Sequence, residues 1–329
     1  MFQSKSCIGF HLRRVAGTAS RVFLFGLIAL GFSACTRMPP DIPGAAHPSA
    51  ENDGPVYLAL GDSLAYGMQI GKLKQALAAG PLDPALFDTG YVDHLAADLR
   101  ARDPDWRVVD LGCPGETSAS FITGPCAFAS SGKPFGTVPL PLHHAYSVSQ
   151  LDAALSVLGQ PRNRVRLITF DLGINDLRAV EAGCPDPAHA PDRYNACMQA
   201  HWPNALSQIR QRLERILGAL RQAAPNAKLL VLTYYDWQGG VHGSSAPVRD
   251  LDRAILAAAA RVDARTVDTF VVFNGDDSVE EANGKDKAAE NRRLCKLTLY
   301  CTSSRDLHPS DAGYALIGEQ LIAALPPSL

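Results

Sequence analysis

The chain has no basic stripe. Its 31 Lys and Arg stand against 33 Asp and Glu, a formal net charge of -2, so nucleic acid is left without the electrostatic footprint it needs in a partner. No Cys-x-x-Cys and no His-x-x-x-His spacing occurs, and the usual signatures of a zinc site are therefore missing. Long apolar runs are scarce too: the clearest, residues 22–32, is too short for a comfortable membrane span. Beyond residue 54 there is no internal repeat and no second linker, which argues for one domain from there to the end. What the chain does have is 47% hydrophobic and 19% charged residues, the balance of a globular protein with ample core rather than a disordered one.

The first segment stands apart. Lys5, Arg13, Arg14 and Arg21 precede the apolar run, and Ser33-Ala34-Cys35 follows it. A basic region, a short apolar core and small residues before a cut read as a secretory signal over 1–35. A cysteine directly after Ser-Ala resembles the lipobox of bacterial lipoproteins. That resemblance implies Cys35 as a lipidated mature N-terminus and a membrane-anchored protein facing the periplasm or the exterior; ordinary signal cleavage and secretion is the alternative. Residues 36–53, dense in Pro, Ala, Gly and Ser, read as a flexible tether. Of eight cysteines, Cys7 and Cys35 fall in the leader. The clustering of the other six suggests three local bridges, Cys113–Cys126, Cys184–Cys197 and Cys295–Cys301, in keeping with export.

From residue 54 onward strand and helix signals alternate. Strands are expected at 56–60, 107–111, 165–172, 228–234 and 267–273, and helices at 91–102, 148–158, 203–224, 248–262 and 311–325. Pro203 fits the first turn of its helix. Residues 112–141 and 274–293 read as loops, and 176–202 as a cysteine-bounded insertion with little periodicity. Strands alternating with long crossovers give an α/β fold, a mainly parallel sheet of about five strands covered on both faces.

Chemistry collects at the strand ends. The first strand stops at Gly61, and Ser63 follows at the carboxyl rim of the sheet, where open α/β sheets bind ligands. Ser63 lacks the Gly-x-Ser-x-Gly setting of an α/β-hydrolase elbow, since Ala65 takes the last glycine position. Three further stretches lie after strands: Asp110-Leu-Gly-Cys-Pro-Gly-Glu-Thr-Ser118, Leu172-Gly-Ile-Asn-Asp176, and Asp306-Leu-His-Pro-Ser-Asp-Ala-Gly-Tyr314. With Gly61-Asp-Ser-Leu64 they resemble, in order, the four sequence blocks of the SGNH (GDSL) hydrolase family. The resemblance implies a flavodoxin-like three-layer α/β/α sandwich over 54–329. It also implies Ser63 as nucleophile, His308 as general base, and an oxyanion hole from the Ser63 backbone N–H, Gly115 and Asn175. Elementary chemistry asks for the same parts: a serine hydroxyl needs an imidazole to take its proton, and a tetrahedral intermediate needs donors aimed at its oxygen.

One position departs from the family pattern. Asp-x-x-His is usual there, but Arg305 stands where the aspartate belongs and the chain reads Asp306-Leu307-His308. Either Asp306 or a backbone carbonyl from residues 303–305 orients the imidazole. The Cys-Pro-Gly-Glu-Thr block and the local cysteine pairs look like the extracellular lipase/esterase branch, implying an acyl-lipid or short-chain ester as substrate and no metal or organic cofactor. A polysaccharide O-acetyl esterase is the rival enzyme. A lipoprotein that keeps the fold and only binds lipid or glycan is the rival of another class.

Overall fold

In the computed structural model residues 54–238, 245–275, 287–326 and 329 are described. The expected leader, Cys35 and the tether lie outside them. Strand β1 (Pro55–Leu60) runs through the middle of the sheet, with Val56 to Leu60 all buried. Burial on both faces is why this segment is continuously apolar rather than alternating. The others are β2 (Arg107–Asp110), β3 (Arg164–Phe170), β4 (Lys228–Leu232) and β5 (Arg265–Val267). All neighbours pair in parallel, in the order β2-β1-β3-β4-β5.

Between β1 and β2 lie α1 (Ile70–Ala79), a 3-10 turn (Pro84–Phe87) and α2 (Tyr91–Arg102). Short helices α3 (Ser120–Thr123) and α4 (Ala127–Ser131), then α5 (Gln150–Gly159), precede β3. Next come α6 (Ile174–Ala182) and α7 (Pro191–Ala223), with α8 (Ala246–Ala260) between β4 and β5. The chain ends in α9 (Thr269–Asn274), α10 (Lys287–Leu297) and α11 (Asp311–Ala324). From β1 to β2 the chain steps one way across the sheet, and from β2 to β3 it steps back over β1. Right-handed crossovers then put the helices on opposite faces. Accordingly α2 packs with α11, while α5, α6 and α8 pack with α7. This is the expected three-layer α/β/α sandwich. The reversal opens a crevice outside the carboxyl ends of β1 and β3.

Several elements differ from the sequence expectation. The run from Val267 to Phe273 has strand-like composition, yet only Arg265–Val267 is strand. Asp268 accepts the Val271 N–H at 3.1 Å and turns the rest into α9, an N-cap overriding β-propensity. Residues 176–202 are largely helical, in α6 and the start of α7. Pro191 occupies the first turn there, and Pro203 lies inside the helix. An interior proline costs on the order of 3 kcal/mol; buried Met198 and Trp202 and the Cys184–Cys197 bridge hold α7 together around it. Helix α10 falls in the expected loop and is anchored by Leu294 and Leu297, three residues apart and both buried. Three disulfides join Cys113 to Cys126, Cys184 to Cys197 and Cys295 to Cys301. No described helix is long and apolar enough to cross a membrane.

Candidate active site

Ser63 sits just past the end of β1, in a turn whose backbone is tied down on every side. Gly61 has φ +151, and a Cβ there would lie 2.5 Å from Asp171, so only glycine lets the turn approach β3 this closely. The Gly61 N–H donates to Gln150 Oε1 at 2.8 Å, and Gln150 Nε2 returns a bond to the Gly61 carbonyl at 2.9 Å. The Asp62 N–H donates to Asp171 Oδ1 (3.0 Å), and Asp62 accepts from the Leu64 N–H (2.9 Å) and the Tyr234 hydroxyl (2.7 Å). The Ser63 carbonyl accepts the Met68 N–H at 2.9 Å. The Ser63 hydroxyl itself has no hydrogen bond among the described residues.

His308 comes from the segment leading into α11. Its Nδ1 lies 2.5 Å from Asp306 Oδ1, and both side chains are buried. Arg305, at φ +48, makes the left-handed turn that aims a carboxylate only two residues away at the ring. Of the two groups expected from the sequence to face the imidazole, Asp306 is the one in contact with it. Its other oxygen accepts the Ile70 N–H at 2.7 Å, and the Tyr235 hydroxyl pins the Leu307 carbonyl at 2.8 Å. Burial works to raise the Asp306 pKa, but the hydrogen bond and charge of His308 and the two backbone N–H groups outweigh it and hold it below the ordinary value. His308 Nε2, at the opposite side of the ring, is buried with no hydrogen-bond partner among the described residues. The Phe135 ring centroid is 5.8 Å from the imidazole's.

Gly115 joins the same end of the sheet from the loop after β2, and Asn175 from the first turn of α6, which follows β3. Gly115 has φ +83, and a Cβ would meet Pro134 at 2.3 Å. Neither its N–H nor that of Ser63 has an acceptor among the described residues. Two loop N–H groups without partners beside a serine are what an oxyanion site requires. Asn175 differs: its Nδ2 donates to the Glu116 carbonyl (3.0 Å) and to Asp62 Oδ2 (3.3 Å), so both donors are engaged. A further acceptor would have to displace one of these bonds, and the bond to Asp62 is the longer.

Beneath these groups lies a set of buried carboxyls. Burial raises Asp62 and pushes Asp171 well above the ordinary carboxylate value, and the neighbouring Asp62 charge raises Asp171 further. The Tyr91 hydroxyl donates to Asp171 at 2.5 Å. Glu116 bonds Ser120 and Gln150 and is raised to about 7 by burial. Ser118 gives Asp176 two bonds of 2.7 Å, from its N–H and its hydroxyl. Sequence reasoning missed Gln150, Asp171, Tyr91, Tyr234 and Tyr235, which carry no motif; their role arises from contacts across the fold. Of the other described histidines, His201 is exposed on α7, and the remaining four have contacts away from Ser63. His143 bonds the Tyr66 carbonyl and faces Asp88, and His144 accepts the Asp110 N–H. His189 pairs with Asp186, and His94 packs against Gly318. Among the described residues no group of three or more His, Cys, Asp or Glu could hold a metal ion.

The family model described as the GDSL-like lipase/acylhydrolase family matches residues 59–316. No curated protein matches the chain. Among solved structures, an extracellular lipase from Streptomyces rimosus is similar at 17% identity over 82% of this chain and 100% of the other, with a TM-score of 0.47. A phospholipase A1 from Streptomyces albidoflavus is similar at 18% identity over 83% and 100%, with a TM-score of 0.46. An esterase from a Pseudoalteromonas species is similar at 15% identity over 82% and 95%, with a TM-score of 0.41.

Proposed function

The chain belongs to the GDSL-like lipase/acylhydrolase family, a family of ester-bond hydrolases, and on that premise we propose that it is a serine esterase acting through an acyl-enzyme on Ser63. The observation that carries the proposal is the asymmetry of the His308 ring. Nδ1 is held by Asp306 at 2.5 Å, while Nε2 is buried without a partner. Held this way, the ring carries its proton on Nδ1 and presents a lone pair at Nε2. That lone pair accepts the Ser63 proton as the hydroxyl oxygen attacks the ester carbonyl. The oxygen that becomes negative meets the unpartnered N–H groups of Ser63 and Gly115, with Asn175 as a third donor. His308 then protonates the leaving alcohol and activates the water that releases the acid. No hydrogen bond joins Ser63 and His308 at rest, and such bonds often tighten only when substrate arrives.

An acyl-lipid or short-chain carboxylic ester is the substrate class we favour. The three disulfides support export, since such bridges persist in oxidising compartments. Ser63→Ala is expected to lower hydrolysis of p-nitrophenyl butyrate by a factor on the order of 10⁶ with an unchanged melting temperature. Retained turnover would sink the assignment. A chain-length series run beside acetylated xylan and a phospholipid separates lipase, short-chain esterase and polysaccharide deacetylase, and turnover of none would favour the binding protein.

A further inference from the structure

Helix α6 begins with the Asn175 region, and one turn later it carries Arg178. Residues three apart on a helix share a face, so Arg178 stands over the same crevice as Asn175. Its guanidinium carbon lies 5.7 Å from the centre of the Trp237 ring, which is buried just after β4. Trp237 holds the cation in place through its ring face. Yet among the described residues Arg178 makes no ion pair or hydrogen bond. The acids whose charge it feels are Glu181 on its own helix, Asp62 behind Ser63 and Asp306 behind His308. Glu181 already accepts from the Tyr194 hydroxyl, and Asp62 and Asp306 are committed to Tyr234 and Leu64 and to His308 and Ile70. A guanidinium presents five donors in a planar fork suited to carboxylate or phosphate. Here the fork meets one aromatic ring, extends from the exposed side of the helix that carries Asn175, and is left without an acceptor among the described residues.

We infer that Arg178 is a binding residue for an anionic group on the substrate, so that the ester this protein acts on carries a phosphate or a carboxylate close to its scissile carbonyl. The inference rests on the esterase reading above and narrows it. Neutral triglycerides and acetylated neutral glycans offer Arg178 nothing. Phosphate-bearing lipid esters and esters of acids with a second carboxylate do.

The test uses two matched pairs with the purified full chain: butyryl glycerol phosphate against monobutyrin, and p-nitrophenyl hemisuccinate against p-nitrophenyl butyrate. The charged member is expected to have the higher kcat/KM in at least one pair, and which pair shows it tells phosphate from carboxylate. In Arg178→Gln the charged-to-neutral ratio should fall at least about tenfold, the value of a charge-assisted hydrogen bond. Arg178→Lys should keep part of it, and added salt should erode the ratio in the native protein. A melting curve checks that each variant folds. Calorimetric titration of butyryl glycerol phosphate and of hemisuccinate into Ser63→Ala, with and without Arg178→Gln, reads binding without turnover. Equal rates for both members of both pairs, or a ratio that Arg178→Gln leaves unchanged, overturns the inference while the esterase reading stands. Arg178-dependent anion binding with no hydrolysis of any ester would instead overturn the esterase reading and keep the anion site.

Discussion

At the scale of single residues, the two nitrogens of the His308 ring have different surroundings: Nδ1 meets Asp306, and Nε2 meets no partner among the described residues. Asp306 fixes Nδ1, and its second oxygen is anchored by the Ile70 N–H, so the carboxylate cannot swing away. Replacing Asp306 by Asn keeps the volume but offers an amide where Nδ1 needs an acceptor, and so favours the wrong tautomer. The expected result is a kcat lower by roughly 10³–10⁴ with little change in KM, judged from well-studied triads. A loss under about tenfold would give the orienting task to a backbone carbonyl. Sequence reasoning left this residue between two accounts for a physical reason. The span from Asp306 to His308 is one residue shorter than the family spacing, and whether a carboxylate reaches across it depends on the left-handed φ of Arg305. Arginine is not a residue type that announces such a turn.

Among the elements, the loops between strands are shaped by covalent ties as much as by packing. The Cys113–Cys126 bridge closes a loop with a sequence separation of 13 that contains Gly115, one of the two unpartnered N–H donors. The Cys184–Cys197 bridge has the same separation but lies beyond the end of α6, away from the donors. Loop-closure entropy puts the loss at about 2–3 kcal/mol in each case. The double serine variant at Cys113 and Cys126 is therefore expected to lose both stability and kcat. The one at Cys184 and Cys197 should lose stability alone. Urea melts paired with steady-state kinetics on the two variants separate these outcomes; equal kcat losses would contradict the distinction. Most elements were legible from periodicity. The exceptions include α6, α9, α10 and the first turns of α7; at α9 a cap, and at the start of α7 a disulfide, outweighs the local pattern.

For the whole molecule, buried carboxyls set how stability depends on pH. Burial raises Asp110 to about 7, Glu116 to about 7 and Asp252 to about 8. The folded state holds these protons more tightly than the unfolded chain, so the stability they contribute is whole below the ordinary carboxylate range and is lost as pH rises through about 8. Asp306 runs the other way: its pKa is lowered, and its contribution is lost only as pH falls through that lowered value. The melting temperature is therefore expected to be lower near pH 9 than near pH 6. Glu116→Gln should recover up to about 3 kcal/mol of the difference at the alkaline end, from about 1.4 kcal/mol per pKa unit. A melting temperature flat over that range would argue that these carboxyls ionise without penalty in the fold.

The order of the strands and of the main helices, the α/β class, and the residue types gathered at the strand ends were present in the sequence. They follow from patterns that repeat within a few residues, where apolar period and turn chemistry act. Tertiary structure alone decided which carboxylate meets Nδ1, which N–H groups stay without partners, and where the charge of Arg178 stands. The bond between Asp62 and Tyr234 joins positions 172 apart, and the clamp of Gln150 on Gly61 joins positions 89 apart. Contacts over such separations exist only after the sheet has closed, because no local pattern encodes a hydrogen bond whose two ends meet through the whole fold.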